Sequence, residues 1–149
     1  MVWGAFSASG KSQLAVLRGN HNSECYQNTL RDYLLPFAQR CHRADWIFQQ
    51  DNASIHTSGS TKKWFEDNEL TVMDWPAKSP DLNLIENVWG YMARRLYENR
   101  RQFSSIADIQ ACVLQEWDKL NQSYLYRLIE SIHKMCVDVL RVQGGAIDY

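Results

Sequence analysis

The sequence predicts an α/β fold, a mixed sheet covered by helices. Short apolar runs bounded by turn residues alternate with longer segments of helical periodicity along the chain, and that alternation is typical of sheets flanked by helices. The 149 residues, 45% of them hydrophobic, are enough for one domain with a sizeable core. Because we find no internal repeat, low-complexity stretch or domain boundary, we expect a single domain over residues 1–149.

Two strands and a helix are expected at the amino-terminal end. Val2–Ser7 and Gln13–Leu17 are apolar runs separated by a glycine-containing turn, which predicts a hairpin. Asn22 or Ser23 can cap the helix that follows. Its apolar residues recur at helical spacing: Tyr26, Leu30, Tyr33, Leu34 and Phe37. Pro36 lies late in this pattern, where a proline kinks or ends a helix.

Two further strands enclose a helix in the middle of the chain. The apolar runs Trp46–Gln50 and Leu70–Trp75 are bounded by polar residues and predict the strands. Thr57 or Ser58 can cap a helix that continues to Asn68. The order of elements therefore gives a strand on each side of this helix, as in other mixed α/β sheets.

Three helices are expected in the carboxyl-terminal part. They begin near Asn83, near Ser104 or Ser105, and near Ser123, each of which can cap a helix. A glycine pair at 144–145 would end the last of them. The apolar stripes of the three helices are Ile85, Trp89, Met92 and Leu96; Ile109, Val113 and Trp117; and Leu128, Ile132, Met135, Val139 and Leu140.

Composition argues against several classes of protein. A net charge of −1 and a pI near 6.4 give no overall basic signal for nucleic acid, so any DNA affinity has to come from local patches. The four cysteines are widely separated and form no CxxC pair, which disfavours a disulfide framework and a clustered zinc site and favours reduced thiols. Without a signal peptide or a long apolar run, membrane insertion is disfavoured.

Asp51 and Glu86 are the residues on which chemistry could rest. Asp51 follows the predicted strand Trp46–Gln50, and Glu86 lies in the first turn of the helix that begins at Asn83. The thirty-four residues between them are too many for a local ion pair but suit two carboxylates brought together by a fold. Mg²⁺ prefers carboxylate oxygens, and two-metal sites stabilise the attacking and leaving oxygens of an in-line displacement. The pair therefore fits a divalent-metal phosphoryl-transfer site.

Both acids also have purely structural interpretations. The pattern Asn83-x-x-Glu86 is an asparagine version of a capping box, in which the glutamate reaches back to the amide of the cap residue. Asp51 and Asn52 can form an Asx turn that closes a strand. His56, five residues after Asp51, is by type and position more often a surface residue than a ligand, although it could border a site built on that acid.

Three stretches around these acids occur in a characteristic order and spacing. They read VWGAFS at residues 2–7, FQQDNASIHTS at 48–58 and DWPAKSPDLNLIENVWG at 74–90. Together they resemble the catalytic domain of mariner-type (Tc/mariner superfamily) DDE transposases, in the branch with thirty-four residues between the second and third acids. The resemblance covers essentially the whole chain, although Leu84 stands where the family generally has proline.

The resemblance implies a ribonuclease-H-like fold whose first strand is missing from this chain. It makes Asp51 the second and Glu86 the third catalytic, metal-binding acid, with Mg²⁺ or Mn²⁺ as cofactor. The implied reaction is nicking at transposon ends, followed by attack of the freed 3′-hydroxyl on target DNA. The resemblance places the first acid and a DNA-binding helix-turn-helix region upstream of the VWG segment. We therefore expect a partial catalytic domain that is inactive alone.

The partner implied by the resemblance is DNA, both transposon ends and target, and a nuclear location follows from that substrate. Lys78, Arg94, Arg95, Arg100 and Arg101 are the candidate phosphate contacts, because lysine and arginine supply the sequence-independent part of DNA binding. A solvated charged face is the alternative interpretation of these residues. Self-association, or association with a full-length transposase, is the other interaction we expect.

Two other interpretations of the whole chain remain open. It could be a non-catalytic DNA- or protein-binding remnant of a transposable element, which retained DNA binding without metal-dependent cleavage would support. It could also be the product of a decayed gene that does not fold, which a molten or aggregated purified chain would support.

Overall fold

A computed structural model describes residues 1–42, 45–75 and 82–141. The chain divides into two compact units: the first comprises Met1–Ala5 and Ser9–Pro80, and the second comprises Phe6–Ala8 and Asp81–Tyr149. Among the residues singled out by sequence, Lys78 and the glycine pair at 144–145 lie outside the described ranges.

Strands and helices follow one another in the predicted order. The strands are β1 (Val2–Trp3), β2 (Phe6–Ser7), β3 (Gly10–Lys11), β4 (Ala15–Val16), β5 (Ile47–Phe48) and β6 (Thr71–Val72). The helices are α1 (Ser23–Thr29), α2 (Leu35–Cys41), α3 (Ser54–Thr57), α4 (Gly59–Asp67), α5 (Leu84–Leu96), α6 (Ile106–Asp118) and α7 (Gln122–Arg141). A π-helical turn, Leu30–Leu34, joins α1 to α2, and a 3₁₀ turn, Glu98–Arg100, follows α5.

The paired strands of the first unit include one antiparallel and one parallel pair. β1 runs antiparallel to β4, with Val2 opposite Val16, which confirms the predicted hairpin. β5 runs parallel to β6, with Phe48 opposite Val72. The predicted apolar runs are longer than the strands within them, and β3 lies in the stretch between Val2–Ser7 and Gln13–Leu17 that was expected to be only a turn. Because parallel strands end at the same edge of a sheet, the segments that follow β5 and β6 emerge side by side.

The first helical segment continues through the proline that was expected to kink or end it. Asn22 caps α1, and its Oδ1 accepts a hydrogen bond of 2.9 Å from the Cys25 backbone N–H. The π-helical turn Leu30–Leu34 lies immediately before Pro36, and α2 continues to Cys41. Because proline lacks an N–H and crowds the carbonyl four residues earlier, a wider turn at this place lets the helix go on.

The core of the first unit joins this helical segment to β5 and α4. Phe48 of β5 lies with its ring centroid 6.2 Å from that of Phe65 in α4. The buried residues of this core are Tyr26, Leu30, Leu34, Phe37, Phe48 and Phe65. Four of the five residues predicted for the first helical stripe are thus buried, and Phe48 anchors β5 three residues before Asp51.

The second unit is built on the packing of α5 against α6 and α7. Its central side chain is Trp117, which is 1% exposed and stacks on Trp89 with ring centroids 5.6 Å apart. Ser105 caps α6 by accepting a hydrogen bond from the Asp108 N–H at 3.1 Å, as predicted. The buried residues of this unit are Val88, Met92, Cys112, Trp117, Leu120, Leu125 and Met135.

The structure bears on two expectations from composition, one about the cysteines and one about membrane-spanning helices. Cys25, Cys41, Cys112 and Cys136 are all free thiols, as expected. Within residues 1–42, 45–75 and 82–141, none of the helices combines the length and hydropathy needed to cross a lipid bilayer.

Candidate active site

Asp51 lies in the turn that follows β5. Its Oδ1 accepts a hydrogen bond of 3.0 Å from the Ala53 backbone N–H, which is the Asx turn considered from sequence. The Nδ2 of Asn52 donates to the Trp75 carbonyl at 2.7 Å and ties this turn to the segment after β6. The Asp51 side chain is nevertheless 55% exposed. The turn therefore fixes the carboxylate at the sheet edge without covering it.

His56 makes the second contact to the same carboxylate oxygen. Its Nδ1 lies 2.6 Å from Asp51 Oδ1, and its side chain is 17% exposed. Asp51 Oδ2 accepts no hydrogen bond from any residue in the described ranges. His56 therefore borders the acid, and the two oxygens of the carboxylate have different surroundings.

Tyr26 packs against the ring of His56. The two rings are stacked with centroids 4.1 Å apart. The Tyr26 hydroxyl donates to Gln50 Oε1 at 2.5 Å, and Gln50 Nε2 donates to the His56 carbonyl at 3.5 Å. In the sequence, Tyr26 belongs to an apolar helix stripe and Gln50 lies at the end of a predicted strand. No local pattern shows that residues this far apart in sequence meet beside Asp51.

The pKa of the Tyr26 phenol is strongly raised. Burial, and after it the negative charge of Asp51, raise the pKa of the Tyr26 phenol well above its ordinary value of 10.0. The hydroxyl consequently stays protonated and donates to Gln50.

Replacing Tyr26 with phenylalanine should therefore have a pH-dependent effect on stability. We expect Tyr26→Phe to cost about 1 kcal/mol at neutral pH, because the hydrogen bond to Gln50 is lost. In the unfolded chain the phenol ionises near pH 10.0, whereas in the folded chain its pKa is higher. The stability that the protonated phenol contributes is thus complete below pH 10.0, the value for the unfolded chain. Above that value it is lost by up to about 1.4 kcal/mol per pH unit. Phenylalanine cannot ionise, so the cost of the substitution should shrink in alkali.

Urea unfolding of both proteins between neutral pH and about pH 11 measures this difference. Tyr97, which is 60% exposed, provides the matched control variant Tyr97→Phe. A constant cost for Tyr26→Phe across the series would contradict the assigned pKa direction.

Glu86 lies in the first turn of α5, in the second unit. Its backbone N–H donates to the Asn83 carbonyl at 2.9 Å, and its side chain is exposed. Asn83 occupies the cap position, but its side chain makes no capping hydrogen bond, so the capping-box arrangement is incomplete. The helix begins at Leu84. Glu86 therefore stands beside the apolar face of α5 with its carboxylate open to solvent.

The donor set suits a hard divalent cation with few protein ligands. Among the described residues, no cluster of three or more His, Cys, Asp or Glu side chains could hold a metal ion. Asp51 has an exposed carboxylate with one oxygen that no described residue contacts by a hydrogen bond, and Mg²⁺ is commonly bound by such carboxylates while it keeps most of its waters. Asp51 in the first unit and Glu86 in the second are each a carboxylate of the type that such an ion accepts as a ligand.

The four arginines after Glu86 are not equivalent. Arg95 pairs with Glu98 at 3.1 Å and with Glu116 at 3.6 Å, so its charge is partly neutralised. The guanidinium carbon of Arg101 lies 5.2 Å from the centre of the Phe103 ring. The remaining two, Arg94 and Arg100, are exposed and form no ion pair with a described residue.

Comparison with known proteins relates the chain to one family. Residues 1–110 match the family model described as DDE superfamily endonuclease. The chain is 37% identical over 149 residues to the Tc3 transposase of Caenorhabditis elegans and 33% identical over 150 residues to its Tc1 transposase. All of this chain aligns with 45% of the Tc3 protein and 54% of the Tc1 protein, so it spans about half the length of these relatives.

Solved structures support the same relationship at the level of the fold. The Mos1 transposase catalytic domain, solved with raltegravir and Mg, superimposes with a TM-score of 0.86 at 22% identity, over 99% of this chain and 76% of that chain. The Mos1 mariner paired-end complex with Mn gives a TM-score of 0.87 at 21% identity, over 99% of this chain and 44% of that chain. These matches confirm the predicted ribonuclease-H-like class. The chain belongs to the DDE superfamily endonucleases, and its relatives among them are transposases of the Tc1, Tc3 and mariner type.

Proposed function

We propose that this chain carries catalytic residues of a DNA transposase that cleaves DNA strands and transfers them to a target. The observation that supports this most directly is that the family match spans both Asp51 and Glu86. Asp51 is held at the end of a parallel strand with its carboxylate accessible, and Glu86 presents an open carboxylate from α5. These are the environments that metal-dependent phosphoryl transfer requires of its ligands.

Asp51 and Glu86 would hold the divalent cation, Mg²⁺ or Mn²⁺. When bound, such ions activate the attacking oxygen and stabilise the leaving oxygen of an in-line displacement at phosphorus. The protein residues contribute negatively charged ligands at fixed positions. The Mos1 catalytic domain and paired-end complex were solved with Mg and with Mn, respectively, which supports either ion for this chain.

DNA would be the substrate, and the nucleus the place of action. The paired-end and strand-transfer complexes of Mos1 support DNA as the substrate by analogy of fold, and the nuclear location is proposed only because it follows from that substrate. Arg94, Arg100 and Arg101 would supply phosphate contacts in the second unit, with Lys78 as a further contact proposed from sequence alone. Self-association, or pairing with a longer transposase, would be the other interaction of the chain.

The salt dependence of DNA binding tests the role of the arginines. We expect Arg94→Gln and Arg100→Gln each to reduce the slope of log K against log salt by about 0.9, because each would remove one phosphate contact. Arg95→Gln should change the slope less, since Glu98 and Glu116 already neutralise Arg95. Arg31, which pairs with Asp32 at 2.8 Å in the first unit, provides the control variant Arg31→Gln. Equal slope changes in all four variants would contradict a specific role for the two unpaired arginines.

A nicking assay on supercoiled DNA tests the proposed function itself. The chain would be compared with a version extended by the upstream strand and acid that the family resemblance implies, each with Mg²⁺ and with chelator. We expect Mg²⁺-dependent nicking by the extended version. If neither version nicks DNA although circular dichroism shows both to be folded, the catalytic proposal fails. Retained DNA binding in that case would favour a binding-only protein.

A further inference from the structure

Asp51 is restrained on one oxygen only, and this asymmetry needs a structural reason. Oδ1 receives the Ala53 N–H at 3.0 Å and Nδ1 of His56 at 2.6 Å. Oδ2 receives no hydrogen bond from the described part of the chain. Two donors on one oxygen fix the rotation of the carboxylate about its final side-chain bond, a torsion that is otherwise broad. Oδ2, which receives no hydrogen bond from a described residue, is thereby held in one orientation.

We propose that His56 is a positioning residue for Asp51, which holds Oδ1 so that Oδ2 is the oxygen offered to the metal ion. This inference rests on the proposed function, because it assigns a role within the same site. A carboxylate can only accept hydrogen bonds, so Nδ1 of His56 carries the hydrogen in this contact. Partners that orient a metal-binding carboxylate in this way commonly change metal affinity by about 10- to 100-fold.

Tyr26 and Gln50 in turn restrain His56. The Tyr26 ring covers the His56 imidazole at a centroid distance of 4.1 Å, which limits rotation of the histidine. Gln50 links the Tyr26 hydroxyl to the His56 backbone carbonyl through its two amide atoms. Tyr26 is itself buried in the core of the first unit. The orientation of Asp51 is therefore connected to the packed interior through His56.

Mn²⁺ binding to the purified chain, followed by the electron paramagnetic resonance of the free ion, tests the proposal without any activity measurement. We expect His56→Ala to weaken Mn²⁺ binding about 10-fold. His56→Asn should restore most of the affinity, because an asparagine amide can place a donor where Nδ1 lies. His56→Gln should resemble the alanine variant, because its amide reaches the position of Nε2 instead. His133→Ala, at an exposed position in α7, should leave the affinity unchanged.

The variants distinguish failure of this inference from failure of the proposed function. If Asp51→Ala abolishes Mn²⁺ binding while His56→Ala does not affect it, the positioning role is overturned and the metal site stands. If Asp51→Ala leaves Mn²⁺ binding unchanged, both proposals are overturned. Recovery by His56→Gln rather than by His56→Asn would overturn the assignment to Nδ1.

Nitrogen-15 spectra of the histidine ring provide a second measurement on the unmodified chain, so the test does not depend on the folding of a variant. At mildly alkaline pH we expect a hydrogen on Nδ1 of His56. The ring signals should shift in Asp51→Ala. A wild-type ring with Nδ1 unprotonated would overturn the proposal.

Discussion

Replacing Asp51 or Glu86 by alanine should reduce Mg²⁺-dependent nicking by about 10²- to 10³-fold or more. This is the scale seen when one group that stabilises developing charge is removed from an active site. Each substitution deletes one of the proposed carboxylate ligands, and Mg²⁺ in such sites depends on one or two carboxylates, so the loss of either one should be large. The initial rate of conversion of supercoiled to nicked DNA, measured with the extended chain, gives the effect directly.

Two exposed acids serve as controls for charge removal in general. Asp67 in α4 is exposed and pairs with Lys63, one helical turn away, and Glu130 is exposed on α7. Asp67→Ala and Glu130→Ala should retain nearly the full rate. Circular dichroism of all four variants separates lost chemistry from lost structure. Nicking that survives both Asp51→Ala and Glu86→Ala would show that the reaction does not depend on these carboxylates.

Most elements of the fold could be predicted because their signals are local. The apolar runs Trp46–Gln50 and Leu70–Trp75 contain β5 and β6, and Ser105 caps α6 as its side-chain chemistry predicts. Strand bounds were less accurate, because an apolar run records burial, whereas a strand extends only as far as its pairing. Helical spacing also predicted more buried residues than the structure shows. Ile109 belongs to the apolar stripe predicted for α6 but is 36% exposed.

The candidate site was predictable only in part, for a physical reason. Asp51 was predicted as a site residue because its type, its position after a strand and the neighbouring motif coincide. The contact between Tyr26 and His56 could not be predicted, since it joins two segments thirty residues apart and appears only when α1 packs against α3. In the same way, the spacing of the arginines between residues 94 and 101 does not predict that Glu116, on α6, forms an ion pair with Arg95.

Trp117→Ala should be among the most destabilising substitutions in the second unit, at about 3–5 kcal/mol. Trp117 is 1% exposed, and its ring stacks on Trp89 at 5.6 Å, so truncation removes both buried area and an aromatic contact. The cavity would open between α5 and α6, where Met92 and Cys112 are also buried and rigid helices allow little collapse. Urea unfolding followed by far-ultraviolet circular dichroism measures the loss without relying on tryptophan fluorescence.

The matched control for this substitution lies on the same helix. Ile106 at the start of α6 is 75% exposed, so Ile106→Ala should change the free energy of unfolding by less than about 0.5 kcal/mol. A similar loss in both variants would contradict a special role for the buried Trp117 side chain, because alanine at either position does not lower helix propensity. A large loss confined to Trp117→Ala would instead place the stabilising contacts of the second unit where α5 and α6 meet. Because α5 also carries Glu86, that packing would then be what holds Glu86 in place within the second unit.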